Sequence, residues 1–346
     1  MIITTINIFG KKNGGIERVK NLISHFNIKE VTILTFFKYN TIQIDGIKYN
    51  FMGLTIEDIF NILYLLLFSN LPFSVCIFQR KRVALSRDIT IFHLARSFQV
   101  ANKELIFNKK NNIILDYCES HSHNLTKRLN QISKLAGFLL KHEIKKIDKF
   151  ENLLLNKSNN IYFITNNDVK FIADKHFILP NKVILNNIFE PFEKRSINKL
   201  VFIGDMTYAP NISALKWLDV FLNNNDYEVH VIGKFIKKPK IHNTNQIIFY
   251  GYVDNIESIM NNSIGAVFFS KESTGLQNKI LDYLNHGIPV FTNSEVADSF
   301  MTNHPFIIIS NYSDLETNLN SIKYSKVNFD KKVKDGLIYL KKHYTK

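Results

Sequence analysis

Short β-branched and aromatic runs alternate along this chain with longer stretches of helical periodicity, and that alternation constrains the fold more than any other feature. The predicted strands of the first half are Ile2–Phe9, Val31–Phe36, Ile89–Leu94, Asn112–Asp116, Ile161–Thr165 and Val183–Asn186. Those of the second half are Lys199–Gly204, Glu228–Gly233, Gln246–Tyr250, Ile264–Phe269, Pro289–Thr292 and Phe306–Ser310. Between them apolar residues recur at helical spacing, as at Ala214, Trp217, Leu218 and Phe221. A series of strand and helix in turn builds parallel sheets covered on both faces. In such sheets ligands bind beyond the carboxyl ends of the strands.

Two complete alternating sets fit a chain of 346 residues, because domains usually run about 100–200 residues. The polar segment Pro191-Phe192-Glu193-Lys194-Arg195-Ser196 separates them. The expected division is residues 1–195, residues 196–326 and a closing helix over 327–346. That helix repeats apolar residues at Phe329, Val333, Leu337, Leu340 and Tyr344, a stripe of helical period. With 45% hydrophobic and 21% charged residues the composition is that of a globular chain, not a disordered one.

Two cysteines, Cys76 and Cys118, make neither a disulfide framework nor a metal cluster, and inert thiols of a reducing compartment are expected. Met1 to Thr5 lacks a basic leader and a cleavage site. The apolar run Ile59–Phe68 is interrupted by Asn61 and is too short for a spanning helix, which needs about 20 residues. A cytoplasmic protein is expected. The net charge of +14 admits nucleic acid, an anionic membrane surface or an anionic substrate as partner. There is no zinc knuckle, RNP aromatic set or arginine-rich helix, so nucleic acid is not expected. Peripheral membrane attachment is, through the stretch carrying Lys127, Arg128, Lys134, Lys141, Lys145, Lys146 and Lys149, although the same lysines also suit a solvated helix face.

Three constellations carry chemistry. Gly14-Gly15 follows the first predicted strand and opens a helix-like run; such a turn exposes backbone N–H groups to an anion, or is simply a tight turn. Ser273 to Asp282 follows the strand Ile264–Phe269. There Thr274 and Gly275 would open a helix, Lys279 would bring a point charge to a phosphate, and Asp282 could accept bonds from ribose hydroxyls. A capped helix with a surface ion pair would show the same spacing. The third is Asp116-Tyr117-Cys118-Glu119-Ser120-His121-Ser122, which could bind sugar hydroxyls or assist proton transfer, or equally cap a helix.

Phe202-Ile203-Gly204-Asp205-Met206-Thr207-Tyr208-Ala209-Pro210-Asn211, Val231-Ile232-Gly233, Gly251-Tyr252-Val253-Asp254, the run Thr274 to Tyr283, and Gly287-Ile288-Pro289-Val290 follow one another in the second half. That ordered series resembles the family-4 glycosyltransferases. Gly14 to Val19, Leu71 to Val75, His93-Leu94-Ala95-Arg96 and the stretch Asp116 to Asn124 resemble a bacterial branch that builds surface polysaccharides.

The resemblance implies the GT-B fold: two Rossmann-like domains facing across a cleft, with the last helix crossing back to the first. It implies a retaining, metal-independent hexosyltransferase with no cofactor. Such an enzyme moves a sugar from a nucleotide-diphosphate sugar to a saccharide acceptor, expected to be lipid-linked, in O-antigen or capsule synthesis. By the same resemblance Asp282 holds the donor ribose, where the family usually has a glutamate. Lys279, Thr274 and Gly275 meet the diphosphate, with Leu276 and Gln277 also on the donor side. Tyr252 and Val253 hold the base, Glu272 faces the donor sugar, and Gly14, Gly15, Gly204 and Asn211 complete the donor side. Asp116 and Glu119 face the reacting sugar or acceptor, with Arg18, His93, Arg96, Ser120 and Ser122 lining the acceptor side. The Arg…Lys phosphate pair of many members is missing after Gly204, which concentrates that role on Lys279. Two rival readings share the fold, a nucleotide-sugar epimerase and a non-catalytic scaffold module.

Overall fold

The computed structural model describes residues 1–10, 14–86, 88–100, 112–118, 120–129, 134–157, 160–165, 176–186, 189–271 and 275–345. The chain divides into two compact units, Met1–Asn181 and Lys182–Lys346.

The first unit holds an eight-stranded sheet in the order β3-β4-β2-β1-β5-β6-β7-β8. Its strands are β1 (Ile2–Thr4), β2 (Glu30–Leu34), β3 (Ile42–Ile44), β4 (Ile47–Met52), β5 (Ile89–His93), β6 (Asn112–Cys118), β7 (Asn160–Phe163) and β8 (His176–Ile178). All pair in parallel except β3, which forms an antiparallel hairpin with β4. The period of two sorts the side chains: Ile2, Ile91 and Ile114 pack on one face, Ile3, Phe92 and Leu115 on the other. The first strand is shorter than its apolar run. The Thr4 hydroxyl accepts from Ile6 N and the Asn7 side chain from Phe9 N, at 3.0 and 3.1 Å, so the chain turns instead of extending. Helices α1 (Gly14–His25), α2 (Ile56–Phe68), α3 (His121–Arg128) and α4 (Lys134–Lys157) belong to this unit. The expected lysine-bearing helix from Lys127 to Lys149 therefore falls on two helices.

The second unit holds six parallel strands in the order β11-β10-β9-β12-β13-β14. These are β9 (Ser196–Ile203), β10 (Glu228–Ile232), β11 (Ile247–Gly251), β12 (Ser263–Phe268), β13 (Val290–Thr292) and β14 (Ile307–Ile308). Numbered from its own first strand the order is 3-2-1-4-5-6, the doubly wound arrangement of dinucleotide-binding sheets. Its helices include α5 (Ala209–Leu222), α6 (Asn278–Asn285), α7 (Tyr312–Lys323) and α8 (Lys326–His343).

One expectation is corrected here. Residues 183–186 are not a strand; Val183 N donates to Tyr344 O and Asn186 N to the Asn285 side chain. Residues 182–195 and the closing helix group with the second unit. Arg195 makes the segment a packed element and not a free link: its guanidinium is buried and donates to the carbonyls of Glu190, Ser263 and His286. On α8, Gly336 lets the helix lie against Leu284 of α6, where a Cβ would stand 3.1 Å from a leucine methyl. Phe329, Val333, Leu340 and Tyr344 of the stripe are buried in this unit's core.

Candidate active site

In a sheet of order 3-2-1-4 the connections leave strands 1 and 4 in opposite directions, and the crevice beyond their carboxyl ends is open to a ligand. In the second unit that place lies beyond β9 and β12. The backbone there is drawn tight by two glycines. A Cβ on Gly204 would stand 2.9 Å from Asn211 Cγ. Gly233, at φ +142°, would drive one to 2.0 Å from Gly204 O. The ends of β9 and β10 thus meet backbone to backbone, which a side chain would prevent.

Lys279 enters this crevice from the first turn of α6. Its Nζ donates to Asn211 Oδ1 at 2.6 Å and lies 3.7 Å from the centroid of Phe268. Asn211 is itself fixed, donating to Asp205 O at 2.9 Å. Burial among these groups lowers the Lys279 ammonium to about 7, because a charge held over aromatic rings lacks its water shell. Tyr283, one turn further on α6, accepts from Ile203 N at 2.6 Å and fastens the helix to β9. The helix opens with no side-chain cap at Gln277, and Gly275 precedes it at φ +64°. A helix N-terminus is a place where an anion can bind. Leu276, Gln277 and Asp282 are half-buried. Tyr252 is exposed and Val253 half-buried just after β11, at the same carboxyl edge of the sheet. Glu272 and Thr274 lie outside the described residues.

The first unit places its candidates at the equivalent edge. Arg18 of α1 reaches Asp116 on β6: Nε lies 3.1 Å from both carboxylate oxygens, and Nη2 donates to Oδ1. The same guanidinium donates to Leu179 O. His93 Nδ1 is 2.8 Å from Asp116 Oδ2, and the Cys118 thiol is 3.2 Å from the same oxygen. All four side chains are buried. Burial alone would raise Asp116, but the Arg18 guanidinium and the His93 hydrogen bond outweigh it and hold the carboxyl well below its usual range. Leu94 and Cys118 carry φ of +69° and +61°, backbone strain at the carboxyl ends of β5 and β6 that this network holds in place.

This geometry gives four of the candidate residues partners within the unit. Asp116 and Arg18 satisfy one another inside the unit and position its strand ends. Ser120 caps α3 by accepting from His123 N at 3.2 Å. Ser120 and Ser122 both donate to Glu151, at 3.1 and 2.6 Å. Glu151 also accepts from the N–H groups of His121 and Ser122; sequence reasoning missed it, because one of three acids scattered along a lysine-rich helix shows no motif. The triad His93, Asp116 and Cys118 could offer three atoms to a metal within 4.8 Å, but Arg18 already supplies the cation that Asp116 needs. Of the expected acceptor-side residues, two keep hydrogen-bonding capacity unused among the described residues. His93 Nε2 is buried without a hydrogen-bond partner. Half-buried Arg96 donates only through Nε, to Thr5 Oγ1 at 2.8 Å. Gly14 and Gly15 form the start of α1, and Glu119 lies outside the described residues.

The model of the family described as "Glycosyl transferases group 1" matches residues 197–311. Among curated proteins none matches the sequence. Among solved structures the chain is similar to a sucrose-phosphate synthase from Thermosynechococcus elongatus. The TM-score is 0.66 at 8% identity, over 99% of this chain and 94% of that one. It is similar to an alpha-glucosyltransferase solved in complex with UDP, with a TM-score of 0.59 at 11% identity over 99% and 95% of the two chains. TarM matches with a TM-score of 0.55 at 15% identity over 74% of this chain and 52% of TarM, so the chain spans about half the length of that protein. Residues 197–311 thus carry a glycosyl transferases group 1 domain, set in a chain whose two Rossmann-like units give it the GT-B fold.

Proposed function

We propose that the protein is a retaining, metal-independent glycosyltransferase that moves a sugar from a nucleotide-diphosphate sugar to a lipid-linked saccharide in surface-polysaccharide synthesis. The observation that carries this reading is Lys279: a buried ammonium beside an uncapped helix start, at the switch point of a doubly wound sheet. A diphosphate would restore the charge that burial disfavours, and its negative charge grows as the sugar–phosphate bond breaks. Groups fixed in advance toward developing charge supply the largest catalytic contribution in most enzymes. Asp282, one turn beyond Lys279, is assigned to the ribose hydroxyls, and Tyr252 with Val253 to the base. The acceptor proton passes to the departing phosphate, so no separate base is required. His93 Nε2 and the Arg96 guanidinium are assigned to the acceptor side.

The test is a thermal-shift screen over nucleotides and nucleotide sugars, followed by assay of free nucleotide with and without a lipid-linked acceptor. A binding nucleotide raises the melting temperature in proportion to its occupancy. Acceptor-dependent release of nucleoside diphosphate is expected. Turnover of the sugar nucleotide without release would make the protein an epimerase, and absence of any nucleotide response would leave a scaffold module.

A further inference from the structure

We infer that α2 of the first unit is an amphipathic anchor that inserts its outer face into the interfacial region of an anionic lipid bilayer. This goes beyond the transferase reading and stands on the first unit alone.

The helix is inverted relative to an ordinary surface helix. Ile56, Ile59, Phe60, Leu63, Tyr64, Leu67 and Phe68 recur at spacings of three and four and are all exposed, Ile56 by 75% and Leu67 and Phe68 each by 73%. Its one fully buried residue is the acid Asp58. A stripe of helical period normally faces the core; here it faces outward, and an apolar patch of this extent marks an interaction surface. The helix is a built element. Thr55 and Asp58 form a reciprocal capping box, and the Asp58 carboxylate also accepts from Lys81 N at 2.9 Å. Phe73 follows it, 58% exposed, with its N–H held by Glu143 of α4 at 2.6 Å. That bond ties α4 to the segment after α2, and Phe138 and Leu139 of α4 are also exposed.

Charge selects the occupant. Residues 1–181 hold 25 Lys and Arg against 14 Asp and Glu, so +11 of the net +14 resides in this unit. Lys81 and Arg82 are exposed next to the α2 N-terminus, Arg82 paired there with Glu57 at 3.2 Å, and Lys141, Lys145 and Lys149 are exposed along α4. An apolar face flanked by basic residues complements an anionic bilayer. A second copy docked face to face would set that positive rim against its own image. At 13 residues the helix is about 20 Å long, too short to span the hydrocarbon core of about 30 Å, and no helix among the described residues is long and apolar enough to cross. It therefore lies in the plane of the interface.

Flotation with vesicles of phosphatidylcholine, with and without phosphatidylglycerol, at low and high salt tests this. The wild type should float with anionic vesicles, and part of that binding should survive high salt, since apolar insertion is not screened. Phe60→Ser combined with Leu67→Ser should lower binding by about tenfold or more with unchanged melting temperature, because both side chains are already exposed. Failure of the wild type to float, or equal flotation of the double variant, would overturn the inference. A concentration-dependent dimer lost in the same variant, without vesicle binding, would assign the face to a second copy instead.

Discussion

Lys279 Nζ donates to Asn211 Oδ1 at 2.6 Å, and this bond joins the first turn of α6 to the first turn of α5 across the switch point of the second sheet. Among the described residues it gives the ammonium a neutral partner and no carboxylate. Lys279→Ala should leave the fold intact and lower turnover roughly 10²–10³-fold, the usual loss when a charge-assisted contact to a transition state is removed. Nucleotide-release kinetics on the purified variant check this, and wild-type turnover in Lys279→Ala would place the donor elsewhere.

The depressed Lys279 gives donor binding a pH dependence. The unliganded ammonium titrates at about 7, below the ordinary lysine value of 10.5, and a bound diphosphate raises it again. Above pH 7 binding must therefore take up a proton. Donor affinity should be flat below about pH 7 and fall by up to tenfold per pH unit above it, until the pH reaches the bound value. The unliganded unit should lose stability as pH falls from 10.5 toward 7, because its folded state binds fewer protons than the unfolded chain. Calorimetry of nucleotide binding in buffers of different ionisation enthalpy counts the proton directly; no uptake at pH 8 contradicts the assignment.

Asp282 lies three residues after Lys279 on α6. Asp282→Asn keeps its shape and removes the anionic acceptor, so it should weaken nucleotide binding more than it slows chemistry. Asp282→Glu should be the mildest change at the position. Dissociation constants measured beside single-turnover rates separate the two effects.

The ion pair of Arg18 and Asp116 belongs to the first unit's stability. Removing one partner of a buried pair costs about 3–5 kcal/mol, so Arg18→Ala should lower the melting temperature by several degrees while nucleotide binding by the second unit persists. The folded Asp116 carboxyl is depressed, so its contribution is complete above the unfolded value of about 3.9 and is lost as pH falls below that toward the folded value. Melting curves between pH 3 and pH 7 should show the wild type losing this contribution and Arg18→Ala showing a smaller acid dependence.

Gly233→Ala combines a forbidden φ with a Cβ placed 2.0 Å from Gly204 O. The β9 and β10 ends must separate to admit it. Loss of soluble expression, or a melting temperature reduced together with nucleotide affinity, is expected. A variant with wild-type stability would show that the two strand ends yield freely.

The doubly wound class was readable in the sequence because strand and helix each leave a local signature: β-branched runs of period two and apolar spacing of three and four. The carboxyl-end loops carrying Gly204, Gly233 and Lys279 could be placed for the same reason, since each follows a strand in the chain. The hairpin of β3 and β4 leaves a local signature as well, Asp45-Gly46 between alternating isoleucines. What the sequence could not decide is which polar groups would meet. Asp116 and Arg18 are 98 residues apart, and only the packing of α1 over β6 turns two candidate ligand-binding groups into a closed pair. Ser120 and Ser122 are claimed by Glu151 in the same way, from a helix about 30 residues on. The outward face of α2 was likewise hidden: its apolar spacing is local, but whether such a stripe faces the core or the solvent is set by the burial of Asp58, and that depends on Thr55 and Lys81 closing around it in the folded unit.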